Sequence, residues 1–293
     1  MAQAITPSGV ALEYETAGSR EHPPLLLIAG YATQLIGWPR EFCERLAAGG
    51  RFVISFDNRD CGLSSKFEGR GAPTQEVLAA ASAGDLDTAR RLAAYTLSEM
   101  ADDALGLLSA LGLVRAHLVG ASMGGMIAQT AAIEHPERAI SLTSIMSSTG
   151  ERDVGQPTPD ALEALLAPRP SDRDGYVASA DRMLVWRSRR YPEPEQARAL
   201  AAASYDRSFY PEGVPRQLAA MIACGSRAEQ LRRLEVPTLV IHGLDDTLID
   251  PSGGERTAEL VPGARLLALE HMGHDRPRPL WPALCEAILE HTR

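Results

Sequence analysis

With 293 residues, the chain is long enough for one globular domain with a sizeable core and a modest insertion. Its 45% hydrophobic content fits a soluble globular protein, and its formal net charge of −9 argues against nucleic-acid binding, which needs clustered cationic charge. The start Met1–Pro7 lacks a basic region followed by a long apolar run, no apolar segment reaches membrane-spanning length, and Cys43, Cys61, Cys224 and Cys285 show no metal-ligand spacing. A cytoplasmic location with reduced thiols is therefore expected.

Leu12-Glu13-Tyr14-Glu15 alternates as an early antiparallel strand would, and Gly18 to Pro24 turn the chain into a buried strand, Leu25–Ile28, followed by Ala29-Gly30-Tyr31. A helix is predicted from Trp38 to Ala48, stopped by Gly49-Gly50, then a strand over Phe52–Phe56 and a loop, Asp57–Ser64. Gly69 to Tyr95 is rich in Ala, Glu, Asp and Arg and predicts an extra helix or two at the rim. Leu97–Leu111 carries apolar residues at helical spacing and meets Gly112 as its stop. Ala116–Val119 is a short buried strand, Gly125–Ile133 a small-residue helix and Ile140–Ile145 another strand. The alternation breaks from about Ser147 to Ala228, where the helix-like runs Ala161–Leu166 and Glu195–Leu200 lie between proline turns. It resumes at the proline-started strand Pro237–His242, turns through Gly243-Leu244-Asp245-Asp246, and ends with a late strand, Ala264–Leu269, and the loop Glu270–His274. Such alternation gives an α/β protein whose mostly parallel sheet is covered on both faces, with its functional residues beyond the carboxyl ends of the strands. The densest basic patch, Arg187-Ser188-Arg189-Arg190, is expected to be a solvated helix face.

Gly120-Ala121-Ser122-Met123-Gly124 is a G-x-S-x-G between a strand and a helix, the context in which a serine is forced into a strained turn with its hydroxyl exposed. Serine is a poor nucleophile at neutral pH, so a histidine must take its proton and a carboxylate must orient that histidine. His274 is best placed, in the loop after the late strand; His271 is its local competitor, otherwise a loop-supporting residue. His242 could support the acid's loop, while His22, His117, His135 and His291 lie at surface, strand-end or helix-end positions. For the acid, Asp245 and Asp246 are both open by position, and Asp250 before Pro251 most simply begins a helix as a cap. The order serine, aspartate, histidine matches nucleophile-elbow enzymes rather than the chymotrypsin or subtilisin types.

Five ordered pieces, namely Gly30-Tyr31, Asp57–Ser64, the serine elbow, Gly243–Asp246 and Met272-Gly273-His274, resemble the α/β-hydrolase superfamily over nearly the whole chain. The spacing from Gly30 to Gly37-Trp38-Pro39 and the elbow Gly-Ala-Ser-Met-Gly-Gly at 120–125 resemble the bacterial carboxylesterases related to aclacinomycin methylesterase. The resemblance implies an α/β-hydrolase core over residues 1–146 and 229–293 and a helical cap over 147–228, above Ser122. It favours Asp246, three residues past the turning Gly243, as the acid, and the backbone N–H groups of Tyr31 and Met123 as the oxyanion hole. The chain departs from many relatives in carrying Ala29-Gly30 where they carry His-Gly, so no role for that histidine carries over. Met183, Leu184, Trp186, Tyr205, Phe209 and Met221 are candidate pocket walls, although apolar cap residues mostly pack the cap's own core.

The activity so implied is hydrolysis of a small-molecule carboxylic ester through an acyl-enzyme, with no cofactor, metal, nucleic acid or membrane involved; the sequence does not indicate an oligomeric state. The same machinery would serve a lactone, an amide, a carbon–carbon bond or perhydrolysis. A non-catalytic binding protein of this fold would keep the pocket and lose the triad. Serine rather than aspartate at the elbow argues against a dehalogenase or epoxide hydrolase.

Overall fold

The computed structural model describes residues 2–293. Eight strands, β1 (Ala2–Ile5), β2 (Ala11–Ala17), β3 (Pro24–Ile28), β4 (Phe52–Phe56), β5 (Ala116–Ala121), β6 (Ala139–Ile145), β7 (Thr238–Gly243) and β8 (Arg265–Leu269), form one sheet in the order β1-β2-β4-β3-β5-β6-β7-β8. β1 and β2 pair antiparallel at one edge and every later pairing is parallel. The edge strand β1 was not anticipated, because its four residues Ala-Gln-Ala-Ile carry too little alternation to stand out.

Alternate residues of the central strands feed two separate cores, as the pleat requires. Leu26, Ile28, Ile54 and Leu118 point to the face covered by α4 (Leu97–Ala110) and α5 (Met123–Glu134). Leu25, Leu27, Val53 and Val119 point to the face covered by α1 (Arg40–Ala48) and α12 (Trp281–His291). Helix α4 begins at a capping box in which Thr96 and Glu99 satisfy each other's backbone amides, which fixes its start directly after the rim segment. That segment forms two helices, α2 (Thr74–Ser82) and α3 (Leu86–Leu92).

Between β6 and β7 the chain runs through α6 (Pro159–Leu166), α7 (Arg173–Ser179), a 3-10 segment (Ala180–Trp186), α8 (Pro194–Arg207), α9 (Gly213–Cys224) and the short α10 (Ala228–Leu231), after which α11 (Ser252–Leu260) links β7 to β8. Helix α9 packs on α2 and α3 through Val77, Ala81, Ala89, Ala219 and Ala223, so the rim helices and the inserted helices share one small core. The basic patch corrects an expectation: residues 187–190 are not helical. Arg187 is mostly buried there, with its guanidinium 3.3 Å from Asp275 and 3.7 Å from Glu193. Burial of a cation beside two carboxylates is invisible in a local run of arginines.

Three histidines, His117 and His242 buried and His291 half-buried, tie acid sensitivity to the fold. His117 on β5 pairs with Ser141 at 2.8 Å, His291 on α12 with the Leu142 carbonyl at 3.1 Å, and His242 on β7 with the Ile249 carbonyl at 2.8 Å. Burial lowers the pKa of all three, that of His117 to about 4. The unfolded chain therefore binds more protons than the native one once pH drops below the ordinary imidazole value of about 6.5, and stability falls with pH from that point. His117 alone is expected to remove on the order of 1–2 kcal/mol at pH 5. Burial also raises the carboxyl pKa values of Asp103 and Asp275, which work in the opposite sense. The test is therefore differential. Calorimetry between pH 7.5 and 5 is expected to show a shallower fall in Tm for His117→Gln than for the unsubstituted protein, and equal slopes would remove this assignment.

Candidate active site

The carboxyl ends of β3, β5, β7 and β8 carry the four loops that matter. Strands β3 and β5 are neighbours, with Ile28 opposite Gly120, so the loop after β3 lies beside the turn after β5. At that turn Ser122 adopts φ 56° and ψ −123°, a sparsely populated conformation for a residue with a side chain, costing on the order of 1–3 kcal/mol. The surroundings hold it there. The Ser122 amide donates to the Ile145 carbonyl at 2.9 Å, and its own carbonyl accepts from the Gly125 amide at 2.8 Å and the Ser147 hydroxyl at 2.9 Å. A Cβ at Gly120 would overlap the Gly124 carbonyl, and one at Gly124 would overlap the Ile28 carbonyl, so the strand-to-helix crossing closes only with both glycines.

Met123, fully buried, is the first residue of α5, where backbone amides have no acceptor within the helix. Gly30 runs beside the serine: a Cβ there would stand 3.2 Å from Ser122 Cβ and 3.8 Å from its hydroxyl oxygen. Tyr31 follows, with its ring partly buried against the α4–α5 core and its phenol pKa raised by that burial. No acceptor for the Tyr31 amide occurs among the described residues.

Of the two adjacent aspartates, Asp246 meets His274. Its Oδ2 lies 2.8 Å from His274 Nδ1, while its Oδ1 accepts from the amides of Leu248 and Ile249, both at 2.9 Å. An ionised carboxylate has no proton to give, so the shared proton belongs to Nδ1 and the Nε2 lone pair stays free. Asp245 turns away. Its amide donates to the Met272 carbonyl at 2.9 Å, and its carboxylate accepts, at 3.4 Å, from the Arg189 amide. The carbonyl of Met272 also blocks any side chain at Gly243, so the loops after β7 and β8 are pressed together where Asp246 and His274 meet.

His242 supports the Asp246 loop through its bond to the Ile249 carbonyl, with Nε2 3.6 Å from Asp246. Burial keeps it neutral, so no second cation competes for Asp246. Asp250 accepts from the Ser252 amide at 2.9 Å and thus caps the start of α11. His271 is exposed, at φ 61°, with its ring edge-on to Tyr191.

The His274 loop is also held from the insertion. The His274 amide donates to the Trp186 carbonyl at 2.6 Å, and Asp275 Oδ1 accepts from the amides of Ser188 at 3.0 Å and Gly273 at 3.2 Å. Trp186 itself is buried. Tyr205 stacks with Tyr176 and Phe209 and donates its hydroxyl to the Ser171 carbonyl, whereas Phe209 lines a small pocket with Ala32, Gln34, Cys61, Tyr176 and Gln217. Burial pushes the Cys61 thiol up to about 12, so it stays protonated at this rim.

Sequence reasoning missed the ion pairs behind these loops. Asp57 pairs with Arg207 at 2.6 Å, Asp60 with Arg216 at 2.7 Å and Asp103 with Arg59 at 2.6 Å, all largely buried. The run Asp57-Asn58-Arg59-Asp60 was a signal, since so many charges directly after a buried strand need partners. Which distant arginines answer Asp57 and Asp60 depends on the path of the insertion. No group of three or more metal-ligating side chains, and no helix long and apolar enough to cross a membrane, occurs among the described residues.

The chain is 31% identical to rhodomycin D methylesterase DauP of Streptomyces sp. (strain C5) and 30% identical to rhodomycin D methylesterase DnrP of Streptomyces peucetius; each alignment covers 99% of this chain and 97% of the relative. The enol-lactonase from Burkholderia xenovorans LB400 superposes with a TM-score of 0.73 at 23% identity, over 99% of both chains, a likeness that shows the fold alone. Residues 23–275 match the family described as alpha/beta hydrolase fold, and with this strand order and full-length relatives the conclusion is direct: the chain belongs to the α/β-hydrolase family.

Proposed function

We propose that the protein hydrolyses a small-molecule carboxylic ester through an acyl-enzyme on Ser122, His274 and Asp246. The observation that carries this reading is the buried His274–Asp246 pair at 2.8 Å in a family whose elbow serine here sits in a strained turn. In this mechanism Ser122 attacks the ester carbonyl while His274 Nε2 takes its proton. The alkoxide is met by the amides of Tyr31 and Met123, each such donor being worth about 3 kcal/mol in the transition state. Collapse expels the alcohol, which receives the proton from His274. Water, deprotonated by the same histidine, then attacks the acyl-enzyme and releases the acid and Ser122. No metal or cofactor enters these steps.

The similarity to two rhodomycin D methylesterases supports a methyl ester of a larger carboxylic acid as the substrate class. Residues 1–146 and 229–293 would form the catalytic core and 147–228 a cap that excludes water and supplies acyl- or alcohol-side contacts, with Phe209 a wall beside the Tyr31 loop, Tyr205 packed on it and Trp186 beside the His274 loop. Four free cysteines suit a reducing compartment.

A fluorophosphonate probe with a panel of methyl and aryl esters tests the reading. Stoichiometric labelling of Ser122 alone, with turnover of at least one ester class, is the expected result; labelling elsewhere or no ester turnover counts against it. A second expectation separates the two histidines. His274→Ala is expected to abolish most turnover, by about a thousandfold, because base and acid are lost together, and His271→Ala to change it less than about threefold. Exchanged phenotypes would reassign the base.

A further inference from the structure

Resting on the reading of Tyr31 as an oxyanion donor, we infer that Gln217 is a positioning residue: from α9 of the insertion it fixes the backbone of the loop that carries the Tyr31 amide. Gln217 is 1% exposed, and both ends of its amide are used. Oε1 accepts from the Ala32 amide at 2.8 Å, and Nε2 donates to the Arg59 carbonyl at 2.8 Å. Ala32 is the residue after Tyr31 and sits at φ 50°, a conformation that an alanine in a free loop does not favour. The Gln217 bond supplies the missing restraint. With Ala32 N–H turned toward α9, the preceding Tyr31 amide is left without a protein acceptor among the described residues, beside Ser122.

The rest of the loop is clamped in the same way from the insertion. Gln34 donates to the carbonyls of Ser204 at 2.7 Å and Ser208 at 2.9 Å at the end of α8, and its oxygen accepts from Arg207 at 2.8 Å. Arg207 also holds Asp57, whose Oδ1 accepts from the Leu35 amide at 2.7 Å. The partners on the insertion all lie at least 170 residues from the loop in sequence, and α9 is seated tightly enough that a side chain at Gly213 would overlap the Asp60 carbonyl. The insertion therefore does more than cover Ser122: it shapes the oxyanion loop, and Gln217 is the contact nearest the Tyr31 amide.

The test compares Gln217→Met, which removes both bonds at similar volume, with Gln217→Glu, which keeps an oxygen for the Ala32 amide in either protonation state. For an aryl ester, Gln217→Met is expected to lower kcat by about 100-fold with KM changed less than about threefold, since a misplacement of about 1 Å costs that much. Gln217→Glu is expected to recover most of that loss. Phenylboronic acid, which forms a tetrahedral adduct on the serine, should lose affinity in parallel with kcat, while inhibition by the product acid stays near its original value. Unchanged kcat in Gln217→Met at equal folded fraction, or losses in both variants that track Tm alone, would overturn the inference. Should Gln217→Met not fold, amide exchange in the unsubstituted protein decides: Ala32 is expected to be protected, and free exchange there overturns the inference. Failure of the fluorophosphonate to label Ser122 in the unsubstituted protein would instead defeat the underlying reading, whatever Gln217 does.

Discussion

Ser122→Ala is expected to lower ester turnover by at least about a thousandfold while leaving Tm within a degree or two. The first half follows from the chemistry: no other hydroxyl or thiol can replace the covalent step, since Cys61 is held protonated by burial. The proposed oxyanion donors and the pocket remain in such a variant, so residual turnover above the uncatalysed rate is expected rather than none. The second half follows from the structure. Ser122 is only partly buried, its backbone bonds to Ile145, Gly125 and Ser147 use main-chain atoms, and alanine meets the same φ strain as serine. Steady-state kinetics of highly purified protein, with a thermal melt beside it, reads both halves. Near-normal turnover would remove the acyl-enzyme mechanism, whereas a large drop in Tm would mean that the serine hydroxyl serves the fold.

The sequence made the sheet and the elbow legible because both rest on local signals. Runs such as Leu25–Ile28 and Phe52–Phe56 are short, apolar and bounded by turn residues, which is what strands buried on both faces must look like. The elbow was legible because two glycines flank a serine at a strand-to-helix switch, and backbone overlap at Gly120 and Gly124 explains why nothing larger fits. What the sequence hid was long-range pairing. Gln217 and Ala32 are 185 residues apart, and Arg187 meets Asp275 across the junction of insertion and core. Neither pair leaves a periodicity, and a glutamine within an amphipathic helix looks like any polar residue. The same blindness turned Arg187–Arg190 into a helix face on paper, because the cost of a buried guanidinium is only visible once its carboxylate partners are located.

The two adjacent aspartates give the sharpest remaining contrast, because the side chain of one is fixed at both oxygens. Asp246 Oδ1 accepts from two amides, those of Leu248 and Ile249, and Oδ2 faces His274 Nδ1. In Asp246→Asn the carbonyl oxygen must take the Oδ1 position, since an NH2 group there would confront two N–H donors. The amide nitrogen is then forced toward His274 and donates to Nδ1. That reverses the tautomer: the ring proton moves to Nε2, and the nitrogen that takes the serine proton in the proposed mechanism is already occupied. The charge that would favour the transient imidazolium is lost as well. Turnover is expected to fall by about three to four orders of magnitude, with the fold retained because both amide bonds to Oδ1 survive. Asp245→Asn keeps an acceptor for the Arg189 amide and touches neither His274 nor its loop partners, so a change of less than about threefold is expected. Kinetics of the two variants on one ester decides the matter, and a crippled Asp245→Asn beside a near-normal Asp246→Asn would assign the orienting carboxylate to the other aspartate.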